Sequence, residues 1–478
     1  MAIDTSPAPA VVAEPSLRTR AKLILLVLCA AQFIVALDFS ILNVALPVLG
    51  SDLGMGQADL QWAVTAFALP SGGFLLLSGR IGDLLGRKRL FLAGLALFTV
   101  ASALATLAWD PASFLAGRAL QGLGAAVIVP TGMSLLTTTF AEGPQRERAL
   151  GISGTLLSLG FTVGMVLGGV MTDSLGWRST MGLLAVAGVA VLVLAPGLLP
   201  ESRNTERPRI DVPGAVTVTG GLLALIYALS TAAQRGFGGA DVLVTLVAGV
   251  LLLAAFVAVE SRAAQPLVSL PMLRRRTVAW GNLGGLVTFS MMSTVVFLLT
   301  LYLQEVLKLS AFRTGLLFGV QGVFAAVAGI TAPRVIARIG ARNTLVTGLA
   351  VQAVCTAGLL GLGAHSGAWL ALAAAATACV GHLWAIVAYG VTATSGVPDS
   401  EQGLATGLVT SSQQIGITIG IPLLSAVVSA RATTLEDGGA SFAEATLGGI
   451  RLGLGVDAAV VAGVAVLVAL GLRGRAGR

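Results

Sequence analysis

The sequence predicts an all-α membrane protein with fourteen transmembrane helices, and three observations carry that prediction. First, 56% of the 478 residues are hydrophobic and only 11% are charged, with a mean hydropathy of +0.92. A soluble domain carries roughly a quarter of its residues charged, so much of this surface must face something other than water. Second, apolar runs of the about 20 residues that cross a bilayer as a helix recur along the whole chain. Third, Lys and Arg concentrate in every second connection between those runs, the asymmetry expected of a multi-pass protein.

In chain order the runs lie near 22–49, 59–79, 90–108, 112–137, 149–172, 179–198, 213–232, 242–260, 278–303, 314–332, 343–363, 367–393, 403–430 and 452–472. An even number of crossings puts both termini on one face. With the N-terminus inside, the cytoplasmic segments hold 22 of the 29 Lys and Arg residues. The outer loops hold six, namely Arg178, Arg235, Lys308, Arg313, Arg431 and Arg451. Both termini are therefore expected in the cytoplasm, and the chain in the inner (plasma) membrane. Arg18, Arg20 and Lys22 before the first run resemble the start of a signal peptide. That run extends from about 21 to 49, too long for a signal, and no small-residue cleavage pattern ends it. It is expected to be a retained span, behind a disordered tail rich in Ala, Pro and Ser over 1–17.

Composition also excludes several function classes. The net charge of +7 fits basic cytoplasmic loops, and no basic run is interleaved with the aromatics that stack on bases, so no nucleic-acid partner is expected. Cys29, Cys355 and Cys379 lie in apolar runs without ligand spacing and read as packing residues. Two histidines do not make a metal cluster. Phosphate-binding Gly-rich loops and the common hydrolase and metalloprotease motifs are absent. The chain reads as no enzyme and needs no cofactor, and uphill work would draw on an ion gradient.

An internal repeat organises the chain. The segment Pro333–Arg342 echoes Gly79–Lys88 at an offset of 254 residues, with Gly340 falling on Gly86. Gly416 and Gly420 echo Gly160 and Gly164 at an offset of 256. Two six-span halves with an inserted pair account for these offsets. The expected divisions are a cytoplasmic tail over 1–21, a six-helix bundle over 22–198, an inserted helix pair with linkers over 199–277, and a second bundle with a short cytoplasmic tail over 278–478.

Ionisable groups within a span are expensive and are functional candidates by default. Asp38 sits mid-span, and Arg118 sits early in the fourth run. A carboxylate in a low-dielectric site can bind and release a proton, whereas arginine stays charged and can bias a neighbouring acid. Asp38 is thus the proton-carrier candidate and Arg118 the permanent charge. The bland alternatives are a headgroup-facing acid and a snorkelling helix end. Between the second and third runs, Gly79, Gly82 and Gly86 alternate with Arg80, Asp83, Arg87, Lys88 and Arg89. Positive-inside topology explains the basic residues, but a conformational latch also explains the aspartate and the glycines, which would permit a tight turn. Gly160, Gly164 and Gly168, with Gly169 adjoining, put small residues on one helix face and permit close packing. Asn43, Gln121, Gln321, Gln413 and Gln414 are polar groups that line a cavity or bond within the bundle. For His382 and Trp384 the two readings stand even.

These motifs resemble the major facilitator superfamily, and within it the fourteen-spanner drug:proton antiporter branch. Leu37–Pro47 is similar to that branch's first-helix signature, and Gly79–Leu90 to the superfamily's loop between spans two and three. Arg118-Ala119-Leu120-Gln121-Gly122-Leu123-Gly124 resembles the fourth-helix motif, and Gly160–Gly169 the fifth-helix antiporter motif. Met165 replaces the usual proline of that last motif, Leu84 a usual basic residue, and Ala337 the aspartate of the second loop copy. The resemblance covers essentially the whole chain.

The resemblance implies the major facilitator fold: two six-helix bundles, plus two inserted transmembrane helices, rocking about a central cavity. It implies proton coupling through Asp38 and Arg118, and a latch of Gly79, Asp83, Gly86, Arg87 and Lys88. The tenth span lacks the extra carboxylate of members that export divalent cations, which favours monovalent, neutral or zwitterionic cargo. The expected function is proton-coupled export of small amphipathic drugs or secondary metabolites, by a monomer in the lipid bilayer. The alternative within the fold is a transporter of one metabolite, such as a siderophore, sugar or amino acid, by symport. A receptor or scaffold without transport would need a sizeable soluble domain, which the short hydrophilic stretches do not provide.

Overall fold

Lipid offers no partner to a backbone amide, so a spanning segment satisfies its own backbone as a helix. A computed structural model describes residues 19–140, 144–201, 211–236, 238–263, 267, 270–364, 368–397 and 402–473, and no strand occurs among them. The expected tail over 1–17 lies outside the described residues. The helices are α1 (Thr19–Leu53), α2 (Gln57–Gly73), α3 (Leu75–Leu85), α4 (Arg87–Thr106), α5 (Pro111–Thr139), α6 (Pro144–Leu175), α7 (Arg178–Leu198), α8 (Val212–Arg235), α9 (Ala240–Glu260) and the short α10 (Leu270–Leu273). They continue with α11 (Arg276–Leu301), α12 (Ala311–Ile339), α13 (Ala341–Gly358), α14 (Ala368–Thr394), α15 (Gln402–Asp437) and α16 (Phe442–Gly471).

Among the described residues, 13 helices are each long and apolar enough to cross a membrane. The fourteenth crossing is the second predicted span, which is broken at Phe74 into α2 and α3. Pro70 removes an amide just before the pair Gly72–Gly73, the usual ingredients of a helix kink. The ninth span runs past α11 into a π-helical turn over Tyr302–Val306, an extension the hydropathy pattern did not show.

Helix ends follow local chemistry. Asp110 accepts from Ser113 N at 2.7 Å and its own amide donates to Ser113 Oγ at 3.2 Å, a capping box that starts α5 ahead of Pro111. Ser441 and Glu444 cap α16 in the same way. The turns that join α3 to α4 and α12 to α13 are made by Gly86, with φ 106°, and Gly340, with φ 82°. A side chain is strained at such angles, so the sequence echo between these two loops is also an echo of backbone geometry.

The first six crossings pack as α1 on α6, α2 and α4 on α5, and α4 on α7. The last six repeat this pattern with α11 on α15, α13 on α14 and α13 on α16. The glycine echo has the same basis. Gly160 faces the Phe33 carbonyl and Gly164 the Leu37 carbonyl of α1, while Gly416 faces the Leu286 carbonyl and Gly420 the Ser290 carbonyl of α11. Helices α8 and α9 form the inserted pair. Helix α8 spans both sets, packing on α2 and α15, with Gln61 Nε2 donating to the Ser230 carbonyl at 2.7 Å and Thr219 Oγ1 to the Gly73 carbonyl at 2.7 Å. Helix α9 shields it and exposes Val244, Val247, Val250, Leu251 and Val257, as a lipid-facing helix does.

Candidate functional site

The two charges singled out within the first half meet. Arg118 Nη1 lies 2.6 Å from Asp38 Oδ1 and 2.8 Å from Oδ2, and both residues are 0% exposed. The guanidinium is held from three further sides. Its Nε donates to the Ala63 carbonyl of α2 at 3.1 Å, Nη1 to Gln121 Oε1 at 2.8 Å, and its plane sits 4.6 Å from the Phe67 ring centre. Gln121 Nε2 passes the chain on to Ser102 Oγ of α4 at 2.8 Å, and Ser102 donates to the Phe98 carbonyl at 2.7 Å. One line of polar contacts therefore ties α1, α2, α4 and α5 together. Neither the headgroup-facing acid nor the snorkelling arginine survives this geometry.

Between the two sets lies a cavity of about 280 Å³. Its wall is aromatic and thioether-rich, with Phe39 and Met165 from the first set and Phe289, Met292 and Phe318 from the second. Phe39 meets Phe161 edge-on at 5.8 Å. Among the candidates named above, Asn43, Gln321, Gln413 and His382 line it, whereas Gln121 belongs to the Arg118 network and Gln414 is not part of the wall. No formally charged side chain occurs among the described lining residues. Asp38 is also absent from the wall, although its neighbour Phe39 is part of it. Asp38 is ion-paired to Arg118 behind the wall, where the guanidinium compensates its buried charge.

On the face opposite the termini, the two sets are sealed. A Cβ on Gly169 of α6 would lie 2.5 Å from the Ala311 carbonyl and 3.1 Å from Gly315 Cα of α12. One on Gly168 would lie 2.6 Å from the Ile41 carbonyl of α1. Asp173 Oδ2 accepts from Phe312 N at 3.0 Å, and Gln304 Nε2 from the π turn donates to the Val44 carbonyl at 2.8 Å. The glycine stripe is therefore a three-helix contact, among α1, α6 and α12, and the cavity lies on the termini side of it.

The loop after the second span differs in detail from expectation. Only Gly86 makes the turn; Gly79 and Gly82 lie inside α3, where they pack on Pro130 and Thr131 of α5. Lys88 Nζ donates to the Pro196 carbonyl at 2.8 Å, and Arg89 pairs with Glu201 at 3.6 Å. Those contacts reach α7 and the residues after it, within the first set. Arg87 is half-buried at the start of α4, and the side chains of Arg80 and Asp83 lie outside the described residues.

Two features escaped the sequence. In the second set, Thr288 of α11 bonds Gln352 of α13 at 2.5 Å and His382 of α14 at 2.9 Å. This joins the helices that correspond to α1, α4 and α5, so each half has its own buried polar tie. Asp457 of α16 is 0% exposed with no hydrogen-bond partner for either carboxylate oxygen. An acid within a predicted span was the signal that could have found it.

Known proteins resemble this chain along its length. The family model described as Major Facilitator Superfamily matches residues 28–421. The chain is 39% identical over 419 residues to the cephamycin export protein CmcT of Amycolatopsis lactamdurans, covering 84% of each. It is 37% identical over 459 residues to the puromycin resistance protein pur8 of Streptomyces alboniger, covering 93% of this chain and 89% of the relative. It is 32% identical over 442 residues to the tetracenomycin C resistance and export protein of Streptomyces glaucescens, covering 90% and 81%. Among solved structures, the POT family transporter PepTSo superposes with a TM-score of 0.72 at 15% identity, covering 96% of this chain and 98% of that one. The human organic anion transporter MFSD10 does so with a TM-score of 0.60 at 17% identity, covering 96% and 100%. At those identities the structures speak to the fold alone.

Proposed function

The chain belongs to the Major Facilitator Superfamily, and from that premise we propose that it exports small amphipathic drugs or secondary metabolites by alternating access, in exchange for protons. It is a transporter and not an enzyme. Relatives named for antibiotic export and resistance that match over most of its length support the direction and the class of cargo. The observation that carries the reading is the Asp38–Arg118 pair, buried one residue from the wall of an uncharged, aromatic cavity between the two sets of helices.

In this scheme Asp38 is the proton carrier and Arg118 its counter-charge. With the seal closed at α1, α6 and α12, the pair is intact and the cavity accepts cargo from the termini side. When the seal is open, Asp38 takes up a proton from the outer face in place of its contact with Arg118. Closing the seal re-forms the pair and releases that proton to the termini side as cargo loads. Coupling therefore runs through the ion pair, behind the wall, rather than through direct competition for one pocket. We place both termini in the cytoplasm and the chain in the inner (plasma) membrane, as a monomer without a cofactor. The bundles are assigned to 22–198 and 278–478, with the inserted pair between them.

Inverted vesicles with an acidified lumen test this. The wild-type chain should accumulate ethidium and alkalinise the lumen as it does so. Asp38→Asn should abolish uphill accumulation while ethidium still exchanges down its gradient. Accumulation by Asp38→Asn at the wild-type level removes Asp38 from the coupling, and cargo that leaves the lumen together with the protons replaces export with symport.

A further inference from the structure

The inserted pair touches both sets of helices, and the two contacts differ in kind. Toward the first set, α8 is pinned at two points. Thr219 Oγ1 donates to the Gly73 carbonyl at 2.7 Å, and Gln61 Nε2 donates to the Ser230 carbonyl at 2.7 Å. Gly73 is the last residue of α2, where the second crossing breaks at Phe74, and carbonyls at a helix end take partners from outside the helix. Between the two bonds the Trp62 and Tyr227 rings lie 5.9 Å apart, and a Cβ on Gly73 would come within 2.9 Å of Leu223 Cδ2. The bonds stand about three turns apart on α8, so α8 can neither slide nor roll on α2 while both are kept.

Toward the second set, α8 presents aliphatic side chains. Val218, Leu222 and Ile226, one turn apart on α8, pack in a cluster with Leu408, Ile415 and Ile419 of α15. Nearer the other end of α8, Ala232 and Ala426 share a second cluster. Helix α9 is joined closely to α8: a Cβ on Gly221 would lie 2.9 Å from Leu253 Cδ2, and one on Gly249 2.9 Å from the Leu225 nitrogen. Alternating access moves α2 and α15 relative to each other, so α8 cannot keep both contacts. Leaving α2 would strip buried amide and hydroxyl groups of their partners where no water replaces them. Sliding on α15 exchanges one aliphatic neighbour for another, or for a lipid tail that is equally apolar.

We propose that α8 and α9 ride with the first set as one body, and that α15 slides along α8 as the two sets rock. The inserted pair is then a bearing that screens the flank between α2 and α15 from lipid in both conformers. This rests on the alternating-access reading above and gives a part in it to the two helices outside the bundles. Gln61 and Thr219 are the residues that fasten the pair.

Double electron–electron resonance on the full-length chain in nanodiscs tests this from three exposed positions, Val193 of α7, Val216 of α8 and Val391 of α14. Val193→Cys, Val216→Cys and Val391→Cys are spin-labelled in pairs, in a background without Cys29, Cys355 and Cys379. Opening of the outer face is driven by acid pH and by adding Gly169→Val. The distance from Val193 to Val391 should then shift by several ångströms, and that from Val216 to Val391 should shift with it, while that from Val193 to Val216 holds. Adding Gln61→Leu with Thr219→Val should broaden the Val193 to Val216 distribution, and a distribution as narrow as the parent's overturns the fastening by those two bonds. A Val216 label that keeps its distance to Val391, or that moves against both partners, overturns the proposal. Alternating access survives either result, because the Val193 to Val391 pair still reports it. A Val193 to Val391 distance fixed under every condition overturns the alternating-access reading and this proposal together.

Discussion

Arg118 grips Asp38 through a single nitrogen, Nη1, which reaches one carboxylate oxygen at 2.6 Å and the other at 2.8 Å while also donating to Gln121. The Nε of the same side chain holds the α2 backbone at Ala63. The arginine is thus anchored whether or not the acid is charged, and the acid is the partner free to leave. That asymmetry suits a coupling device in which the proton is taken up on α1.

The first prediction concerns stability. Removing one member of a buried ion pair costs about 3–5 kcal/mol because the other charge is left unpaired. Arg118→Met should therefore lower the thermal midpoint in detergent markedly. Asp38→Asn should cost less, because Ala63, Gln121 and Phe67 still hold the guanidinium. The double variant should be more stable than Arg118→Met alone. Additive losses would mean that the two side chains are not coupled.

A second prediction tests the seal. In Gly169→Val a side chain would be driven into the α12 backbone at Ala311 and Gly315, so α6 and α12 must part. The conformer with this face open should gain population. In a cysteine-free background, labelling of Phe312→Cys by a membrane-impermeant maleimide should rise severalfold when Gly169→Val is added. No change in labelling would show that the glycine contact does not close the molecule.

The third prediction contrasts glycines of one loop. Gly86 has a φ of 106°, where a side chain costs roughly 1–2 kcal/mol. Gly79 sits in a helix where an added Cβ would find its nearest neighbour, Pro130 Cβ, at 3.7 Å, an ordinary contact. Gly86→Ala should lower the thermal midpoint, and Gly79→Ala should leave it unchanged or raise it, since alanine favours helix by up to about 1 kcal/mol. Equal behaviour of the two would remove the turn from the argument.

These residues also show what could be read in advance. The crossings were legible because lipid imposes a length and a composition on every one of them, and the break at Phe74 was the kind of detail that hydropathy averages over. Gly86 and Gly340 were legible as an echo because both turns need the same backbone angles. Asp38 and Arg118 stood out separately as charges in apolar runs, but their pairing depends on α1 and α5 lying side by side, 80 residues apart in the chain. Thr288 and Gln352 escaped because uncharged polar residues are tolerated in a bundle and give no hydropathy signal, and His382 was singled out without its partners. That Asp38 lies behind the cavity wall, and not on it, is a matter of helix rotation of which hydropathy carries no record.

The last prediction concerns Asp457, which stands fully buried in α16 with neither oxygen partnered. Its helix packs on α11, α13 and α15, and the hydroxyls of Thr356 on α13 and Ser425 on α15 are likewise buried without partners. A buried polar group in that condition lowers stability by about 1–3 kcal/mol relative to an apolar one that fits. Such a group is one place where a protein can trade stability for activity. Asp457→Leu, which keeps the branching but puts methyl groups in place of the two oxygens, should therefore raise the thermal midpoint of the purified chain, and Asp457→Asn should leave it nearly unchanged. If the acid has a task in the cycle, the stabilised Asp457→Leu variant should also transport ethidium more slowly in vesicles. A fall in the midpoint on Asp457→Leu would instead mean that the acid has a partner in the membrane-embedded molecule, and that its burial is structural.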